Sequence, residues 1–360
     1  MDSKKKRSAL NVQEGIEQPS SVSPYLKKKR IVRPSLLSVD QYLDGILNKD
    51  RMILSRAITL VESVHPEHIK IAQELLEKTL PYAGNSVRIG ITGVPGAGKS
   101  TFIEAIGNLI TEKGHQLAVL AIDPSSERSK GSILGDKTRM ESLSVNPHAY
   151  IRPSPSGLTL GGVARKTRET IILCEAAGFD VIFVETVGVG QSETVVKSMV
   201  DFFLLLMLSG AGDDLQGIKR GIMEMADGLA ITKADGDNVL QAQHAKSLYQ
   251  SALRLFPKLG NGWDVPVEVC SSFTLEGIDR VWDMIEQYVQ LTKENQFFYI
   301  QRNEQNIKLF YEWVEHSIRD RFYADPKVQK KIESLIPLIQ TGQITPYQAG
   351  GMLLFECKQG

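Results

Sequence analysis

The strongest chemical signal in this chain is the run GVPGAGKS at Gly93–Ser100, which matches the phosphate-binding pattern G-x-x-x-x-G-K-[ST]. The preceding apolar run Val87–Thr92 predicts a strand, and Thr101–Lys113 predicts a helix whose N-terminal end adds partial positive charge. We expect Lys99 to reach the β- and γ-phosphates and the Ser100 hydroxyl to bind Mg²⁺. The alternative is a glycine-rich turn that matches the pattern by chance. The strand before the run and the helix after it weigh against that alternative. The residues that the motif assigns to the nucleotide are Gly93, Val94, Pro95, Gly96, Ala97, Gly98, Lys99, Ser100 and Thr101.

A second motif, TKAD, comprises Thr232, Lys233, Ala234 and Asp235 and follows a predicted strand. A carboxylate accepts hydrogen bonds from both N1–H and the exocyclic amine of guanine, which adenine does not offer. Asp235 therefore indicates GTP, and the stem of Lys233 can lie over the base. The alternative is a polar loop in which Asp235 caps a helix.

Two further positions extend the predicted base pocket. Ser271 and Ser272 follow the next predicted strand and are candidates to complete the pocket with their backbone amides. Serine is common in loops for other reasons, because its hydroxyl bonds to nearby backbone groups.

Carboxylates follow two other predicted strands. Glu185 ends an apolar strand where most GTPases carry the Asp of D-x-x-G, and Gly188 would place an N–H near the γ-phosphate. Asp123 ends the second predicted strand at the same sheet edge, where it would bind Mg²⁺ through water or orient the attacking water. The alternative for Glu185 is a solvent-exposed carboxylate at the end of a buried strand. The alternative for Asp123 is an aspartate that initiates a turn.

The residue after Gly188 is Val189, so the water-positioning Gln of the Ras-like scheme is missing at this position. We expect slow intrinsic hydrolysis, with help from elsewhere in the chain or from a partner. The glycine-rich, charged run Gly210–Gly221 suits a mobile switch segment, although a plain surface loop has a similar composition.

Composition narrows the class of protein. The 360 residues have a formal net charge of zero, which argues against a globally basic nucleic-acid binder. The longest apolar run, Phe202–Leu208, is too short to span a bilayer, so no membrane association is expected. Cys174, Cys270 and Cys357 are widely separated, which favours reduced, buried thiols and a cytoplasmic location.

The chain divides into four predicted parts. Residues 1–37 form a basic tail, which we expect to be disordered. The alternatives are an arm that binds an anionic partner and a targeting segment. Residues 38–84 are helical, 85–293 form a P-loop domain, and 294–360 form a helical arm. The predicted fold class is α/β, with a mostly parallel, doubly wound sheet. Its expected strands are Val87–Thr92, Ala118–Ile122, Val181–Glu185, Phe203–Leu208, Leu229–Thr232 and Val265–Val269.

Over residues 38–360 the chain resembles the MeaB/ArgK family, P-loop GTPases that act as chaperones of adenosylcobalamin-dependent methylmalonyl-CoA mutase. Residues 1–33 fall outside the resemblance. It is carried by the runs GVPGAGKST, AIDPSSERSKGSILGDKTRM, IRPSPSGLTLGGVARKTRET, ETVGVGQSE, SGAGDDLQGIKRG and TKAD.

The resemblance implies roles for matching residues. Asp136, in the run GDKTRM, joins Asp123 and Glu185 around Mg²⁺ and the γ-phosphate. Asp213 and Lys219 lie in a segment that resembles a third switch loop. Thr232 stands where GTPases at large more often carry Asn. Threonine keeps a hydroxyl but lacks the side-chain amide of asparagine, so the contact made by that amide does not carry over directly. The implied catalytic residues are Lys99, Asp123, Asp136, Glu185 and Lys219, and the implied metal ligands are Ser100, Asp123, Asp136 and Glu185.

The resemblance also implies a mechanism and an assembly. GTP and Mg²⁺ would order the switch loops, and the GTPase would gate cofactor loading into the mutase. Family members are homodimers through a C-terminal helical arm. Three alternatives remain: a GTP-dependent metallochaperone, a P-loop kinase or ATPase linked to basic amino-acid transport, and a nucleotide-dependent scaffold with negligible turnover. Which acyl-CoA mutase is served stays open.

Overall fold

A computed structural model of the protein describes residues 36–122, 140–153, 160–186, 193–209, 220–257 and 260–356. The described residues from Val39 onward form one compact unit. The division into helical section, P-loop domain and arm remains a prediction.

The described residues contain one seven-stranded sheet in which every pairing is parallel. The strands run in the order β3-β2-β4-β1-β5-β6-β7. This confirms the predicted fold class. The strands are β1 Val87–Gly93, β2 Leu117–Ile122, β3 Ala149–Arg152, β4 Val181–Thr186, β5 Phe202–Leu208, β6 Gly228–Thr232 and β7 Val267–Val269.

Helices precede, connect and follow these strands. Short 3₁₀ turns lie at Leu80–Tyr82 and Gly236–Asn238. The helices of the described residues are α1 Val39–Leu47, α2 Arg51–Glu62, α3 Pro66–Thr79, α4 Lys99–Glu112, α5 Glu141–Val145, α6 Leu160–Ala176, α7 Glu193–Lys197, α8 Arg220–Met225, α9 Val239–Leu253, α10 Ile278–Glu294, α11 Phe297–Ala324, α12 Pro326–Gln340 and α13 Pro346–Glu356.

The central strands are largely apolar on both sides, as expected for strands that helices cover on both faces of the sheet. In β5, Leu204 and Leu206 pack in the cluster formed with α4 and α10, whereas Leu205 and Met207 pack in the cluster formed with α9. This arrangement explains why continuous apolar runs, rather than alternating ones, marked the strands in the sequence.

Strand β1 lies at the centre, paired with β4 on one side and β5 on the other. After β1 the chain crosses over β4 to form β2, while β5, β6 and β7 follow one another on the opposite side. The direction of winding therefore changes at β1, and such a switch point opens a crevice at the carboxyl ends of the strands.

The sheet contains one strand that the sequence did not indicate. β3 has only four residues, Ala149–Arg152, and occupies an edge of the sheet. Its Arg152 forms an ion pair with Glu62 of α2, and both side chains are largely buried. A short run that ends in arginine lacks the apolar pattern of a central strand.

The helical arm is anchored at its start by one buried arginine. Arg302 of α11 donates hydrogen bonds of 2.7 Å to Asp201 and of 2.6 Å to the carbonyl oxygens of Gly84 and Ser86. The ring of Phe298 lies over the same guanidinium. Because Asp201 immediately precedes β5 and Ser86 precedes β1, α11 starts against the amino edge of the sheet.

Farther along, the arm exposes much of its apolar surface. Such side chains are rarely left in water as a contiguous patch without a partner. They include Ile300, Ile307, Phe310, Tyr311, Ile318, Leu354 and Phe355.

Two cysteines lie in the described part of the chain. Cys174 and Cys270 are buried free thiols, in agreement with the expectation from the sequence. Burial raises the pKa of Cys270 to about 12, and burial also raises that of Cys174, so both stay protonated. Cys357 lies outside the described residues.

Candidate functional site

The phosphate-binding motif forms a tight loop at the carboxyl end of β1. Gly93 lies so close to β5 that an added Cβ would come within 2.7 Å of the Leu206 carbonyl oxygen. Gly98 caps α4 at a φ of 76°, in the left-handed region that glycine adopts without strain. The 14-residue helix α4 then begins at Lys99, so its positive end points toward the crevice.

Lys99 folds back over this loop. Its ammonium donates a hydrogen bond of 3.2 Å to the carbonyl oxygen of Gly93. Burial lowers the pKa of Lys99, while the negative charges of Glu185 and Glu193 oppose that shift. A partly desolvated cation beside a helix N-terminus is well placed to attract phosphate oxygens.

The end of β4 is held against the end of β1. Glu185 pairs in register with Ile91, and the buried hydroxyl of Thr186 donates a 2.8 Å hydrogen bond to the hydroxyl of Thr92. Thr92 directly precedes Gly93. The two strand ends therefore bring the carboxylate of Glu185 and the phosphate-binding loop to one edge of the sheet.

The oxygen donors at this edge suit Mg²⁺. Ser100, in the first turn of α4, offers a hydroxyl, and Glu185 offers a carboxylate whose charge acts on neighbouring Lys99. Mg²⁺ prefers such hard oxygen ligands and retains several waters when few protein ligands are present. Among the residues that the structure describes, no three His, Cys, Asp or Glu side chains are grouped to hold a metal ion.

Glu193 is an acidic residue that the sequence interpretation did not single out. It begins α7, is 3% exposed, and influences Lys99 together with Glu185. The signal was present at the end of the run ETVGVGQSE, where Glu193 is the last residue. A carboxylate eight positions after Glu185 has no fixed spatial relation to it until the intervening chain is folded.

The base-recognition motif contacts the phosphate-binding loop directly. The hydroxyl of Thr232, which is 1% exposed, donates to the carbonyl oxygen of Ala97 at 2.8 Å and lies 3.2 Å from that of Met207. Threonine in place of the more common asparagine thus still joins the two motifs. Its hydroxyl ties the end of β6 to the turn before α4.

Lys233 and Asp235 extend from that junction. Lys233 has a φ of 57°, and its backbone carbonyl accepts a 2.6 Å hydrogen bond from Asn238. The Lys233 side chain passes beside Gly98, its Cε lying 3.9 Å from where a Cβ would stand. The stem of the lysine therefore lies alongside the start of α4, and its contact with a base stays a prediction.

Ser271 lies next to Asp235. Its hydroxyl donates a 2.6 Å hydrogen bond to the carboxylate, and the backbone N–H of Ala234 donates to the carbonyl oxygen of Cys270. Ser272 is the next residue in the same loop and is partly exposed. The structure thus brings the predicted base residues together, with Asp235 held in a fixed orientation.

The remaining sequence candidates lie outside the described residues. They are Asp123, Asp136, Gly188, Asp213 and Lys219.

Replacing Thr232 by valine is expected to lower the free energy of unfolding by about 1–3 kcal/mol, because the buried carbonyl of Ala97 loses its donor. If this turn holds nucleotide phosphates as the motif predicts, the affinities for GTP and GDP should fall together, since both carry the phosphates that the turn would contact. Urea unfolding and calorimetry measure the two effects. Thr232→Ser keeps the hydroxyl and is the matched control; equal stability of the valine variant and wild type would contradict the assigned contact.

Within the described ranges, none of the helices has the length and apolar character that crossing a membrane requires.

Comparisons with known proteins identify the family of this chain. The family model for the methylmalonyl Co-A mutase-associated GTPase MeaB matches residues 54–327. A probable GTPase of Mycobacterium tuberculosis is 48% identical over 317 residues, covering 88% of this chain and 94% of the relative. The mitochondrial methylmalonic aciduria type A homolog of Mus musculus is 42% identical over 326 residues, covering 88% of this chain and 79% of the relative.

A solved structure gives the same result at the level of the fold. The crystal structure of a LAO/AO transport system kinase superposes with a TM-score of 0.72 at 34% identity, covering 90% of this chain and 100% of that one. Because a family model matches most of the sequence and these relatives align along nearly all of it, the chain belongs to the MeaB family of methylmalonyl-CoA mutase-associated GTPases.

Proposed function

We propose that this protein binds and hydrolyses GTP and that its nucleotide state controls a cobalamin-dependent acyl-CoA mutase. The observation that carries the nucleotide assignment is the direct link between the two motifs. Thr232 joins the base-recognition loop to the phosphate-binding loop, while Ser271 orients Asp235. One ligand with a guanine at one end and phosphates at the other matches both loops.

The residues around the phosphate-binding loop have separate roles in hydrolysis. Lys99 would hold the β- and γ-phosphates, and Ser100 with Glu185 would hold Mg²⁺, which would supply neutralisation of phosphate charge. Water attacks the γ-phosphorus, the bond to the β–γ bridging oxygen breaks, and its electron pair leaves with GDP. The water oxygen stays on phosphorus, and both of its protons end on the inorganic phosphate, one as the new hydroxyl and the other on a neighbouring phosphate oxygen. Lys99 stabilises the charge that develops on the leaving oxygen.

Hydrolysis by the isolated protein is slow under this proposal. The sequence has Val189, rather than a water-orienting glutamine, after Gly188. A partner would supply or order the missing group. Asp123, Asp136 and Lys219 are the candidate acidic and switch residues that such a partner would bring into position.

The partner we propose is adenosylcobalamin-dependent methylmalonyl-CoA mutase or a close acyl-CoA mutase. Support comes from the description of the matching family and from the name of the murine relative. The GTPase would admit intact cofactor to the mutase and release damaged cofactor. We further propose a homodimer, since α11 to α13 expose apolar side chains such as Ile307 and Phe310. The location that we propose for it is the cytoplasm.

The decisive experiment measures GTP hydrolysis with and without purified mutase. Binding of the mutase to GTP-loaded protein, with stimulation of at least about tenfold, is the expected result. Mutases for methylmalonyl-CoA and isobutyryl-CoA tested in parallel identify which enzyme is served. The proposal fails if no such mutase binds the protein or changes its rate of hydrolysis.

A further inference from the structure

The loop between β7 and α10 presents an aromatic ring to solvent beside the proposed base pocket. Phe273 is 89% exposed, although phenylalanine buries a large apolar surface in most folded proteins. It follows Ser271 by two residues, and Ser271 is bonded to Asp235. An exposed ring two residues from the serine that is bonded to Asp235 is a candidate contact for a base bound there.

This loop is held in one conformation by its own hydrogen bonds. The Ser271 hydroxyl accepts from the backbone N–H of Phe273 at 3.2 Å and of Thr274 at 3.1 Å, while the Ser271 N–H donates to the Glu276 carbonyl oxygen at 2.9 Å. Leu275 has a φ of 64°, a strained conformation for a side chain of this size. Residues held in such conformations are found preferentially at active sites and ligand-binding loops.

The same serine places Phe273 relative to the base. Its hydroxyl donates to Asp235 at 2.6 Å and accepts from the Phe273 N–H, so only two hydrogen bonds separate the carboxylate from the Phe273 backbone. Lys233 extends from the other side of Asp235 along the start of α4. A flat base bound at Asp235 would therefore lie within reach of both Lys233 and the ring of Phe273.

We propose that Phe273 stacks on the base of the bound nucleotide and is a positioning residue for it. This inference rests on the proposed guanine-nucleotide function and adds an affinity determinant that base-edge recognition does not include. Stacking uses the π-face that every base has, so it contributes affinity without discriminating among bases. Asp235 would bind the edge of the base, and Phe273 would stack on its planar face.

The test compares Phe273→Ala with wild type by calorimetry, using GTP and ITP as probes. ITP lacks the exocyclic amine of guanine but keeps the ring system. Phe273→Ala should weaken both nucleotides by about tenfold, leaving the ratio of their affinities unchanged. Phe273→Trp should restore affinity, and its added indole fluorescence should be quenched when GTP binds, which a purely structural role would not produce.

Leu255→Ala is the matched control. Leu255 is 82% exposed and lies beyond the far end of the 15-residue helix α9 from Asp235, so its removal should leave nucleotide affinity unchanged. Because Phe273 is almost fully exposed, the alanine variant should fold, which circular dichroism checks.

Two results would overturn the stacking proposal. One is an affinity of Phe273→Ala for GTP within about twofold of wild type. The other is a loss confined to mutase-stimulated hydrolysis, which would make Phe273 a contact with the protein partner. Loss of GTP binding in a variant of Asp235, with Phe273→Ala unaffected, would leave the proposed function standing and reject only this inference.

Discussion

Lys99→Met is expected to lower the rate of GTP hydrolysis by about 10³-fold, because it removes the cation nearest the site where leaving-group charge develops. Methionine keeps a long side chain without the charge. Lys99 donates to the Gly93 carbonyl oxygen, and a triphosphate would compete for the same ammonium. Single-turnover kinetics with saturating GTP separates this loss from a loss of binding.

The same variant should alter the pH dependence of stability. Burial holds the pKa of folded Lys99 below its ordinary value of 10.5, so the unfolded chain binds this proton more tightly than the folded protein. The free energy of unfolding of wild type therefore has a contribution that rises as pH increases through the interval just below 10.5. Lys99→Met lacks that contribution, which urea unfolding at neutral and alkaline pH would detect.

Lys113→Met is the control for the hydrolysis experiment. Lys113 caps the other end of α4 and lies 3.8 Å from Asp283 on the surface, so its removal should leave hydrolysis unchanged. Activity of Lys99→Met within about tenfold of wild type would contradict the role of Lys99 in charge stabilisation.

Asp235→Asn is expected to weaken GTP binding by about 10²–10⁴-fold, because two hydrogen bonds to a charged acceptor are lost. The asparagine amide would instead donate to the C2 carbonyl of xanthine, so affinity for XTP should rise above that for GTP. The asparagine carbonyl oxygen still accepts the Ser271 hydroxyl, which keeps the loop in place. Calorimetry with GTP, XTP and ATP measures the exchange of specificity.

Asp237→Asn supplies the matched comparison. Asp237 lies two residues farther along, in the 3₁₀ turn Gly236–Asn238, and is exposed. The same change of charge there should leave the order of nucleotide affinities untouched. If Asp235→Asn still preferred GTP over XTP, Asp235 would not be the group that reads the edge of the base.

Sequence reasoning located the central elements because each depends on local pattern. β1 was expected at Val87–Thr92 and ends one residue later, at Gly93. Helix α4 was expected from Thr101 and begins at Lys99, since the left-handed Gly98 is a suitable cap. Continuous apolar runs identified the strands that helices cover on both faces.

Edge and connecting elements were harder to predict. The four-residue strand β3 has one partner strand and ends in Arg152, whose ion pair with Glu62 joins residues 90 positions apart. Nothing near Arg152 in the sequence specifies that pairing. The position of β3 depends on its pairing with β2 and on this contact with α2, which form only in the complete fold.

Sequence alone determined which chemical groups this protein possesses: a phosphate-binding loop, a guanine-type carboxylate and an acidic residue at the end of β4. Those motifs are defined by spacings of a few residues, which backbone geometry converts directly into local structure. Only the tertiary structure decided how they combine. Thr232 reaches Ala97 across 135 positions, and Ser271 reaches Asp235 across 36. Such contacts arise because parallel strands bring distant carboxyl ends to one edge of the sheet.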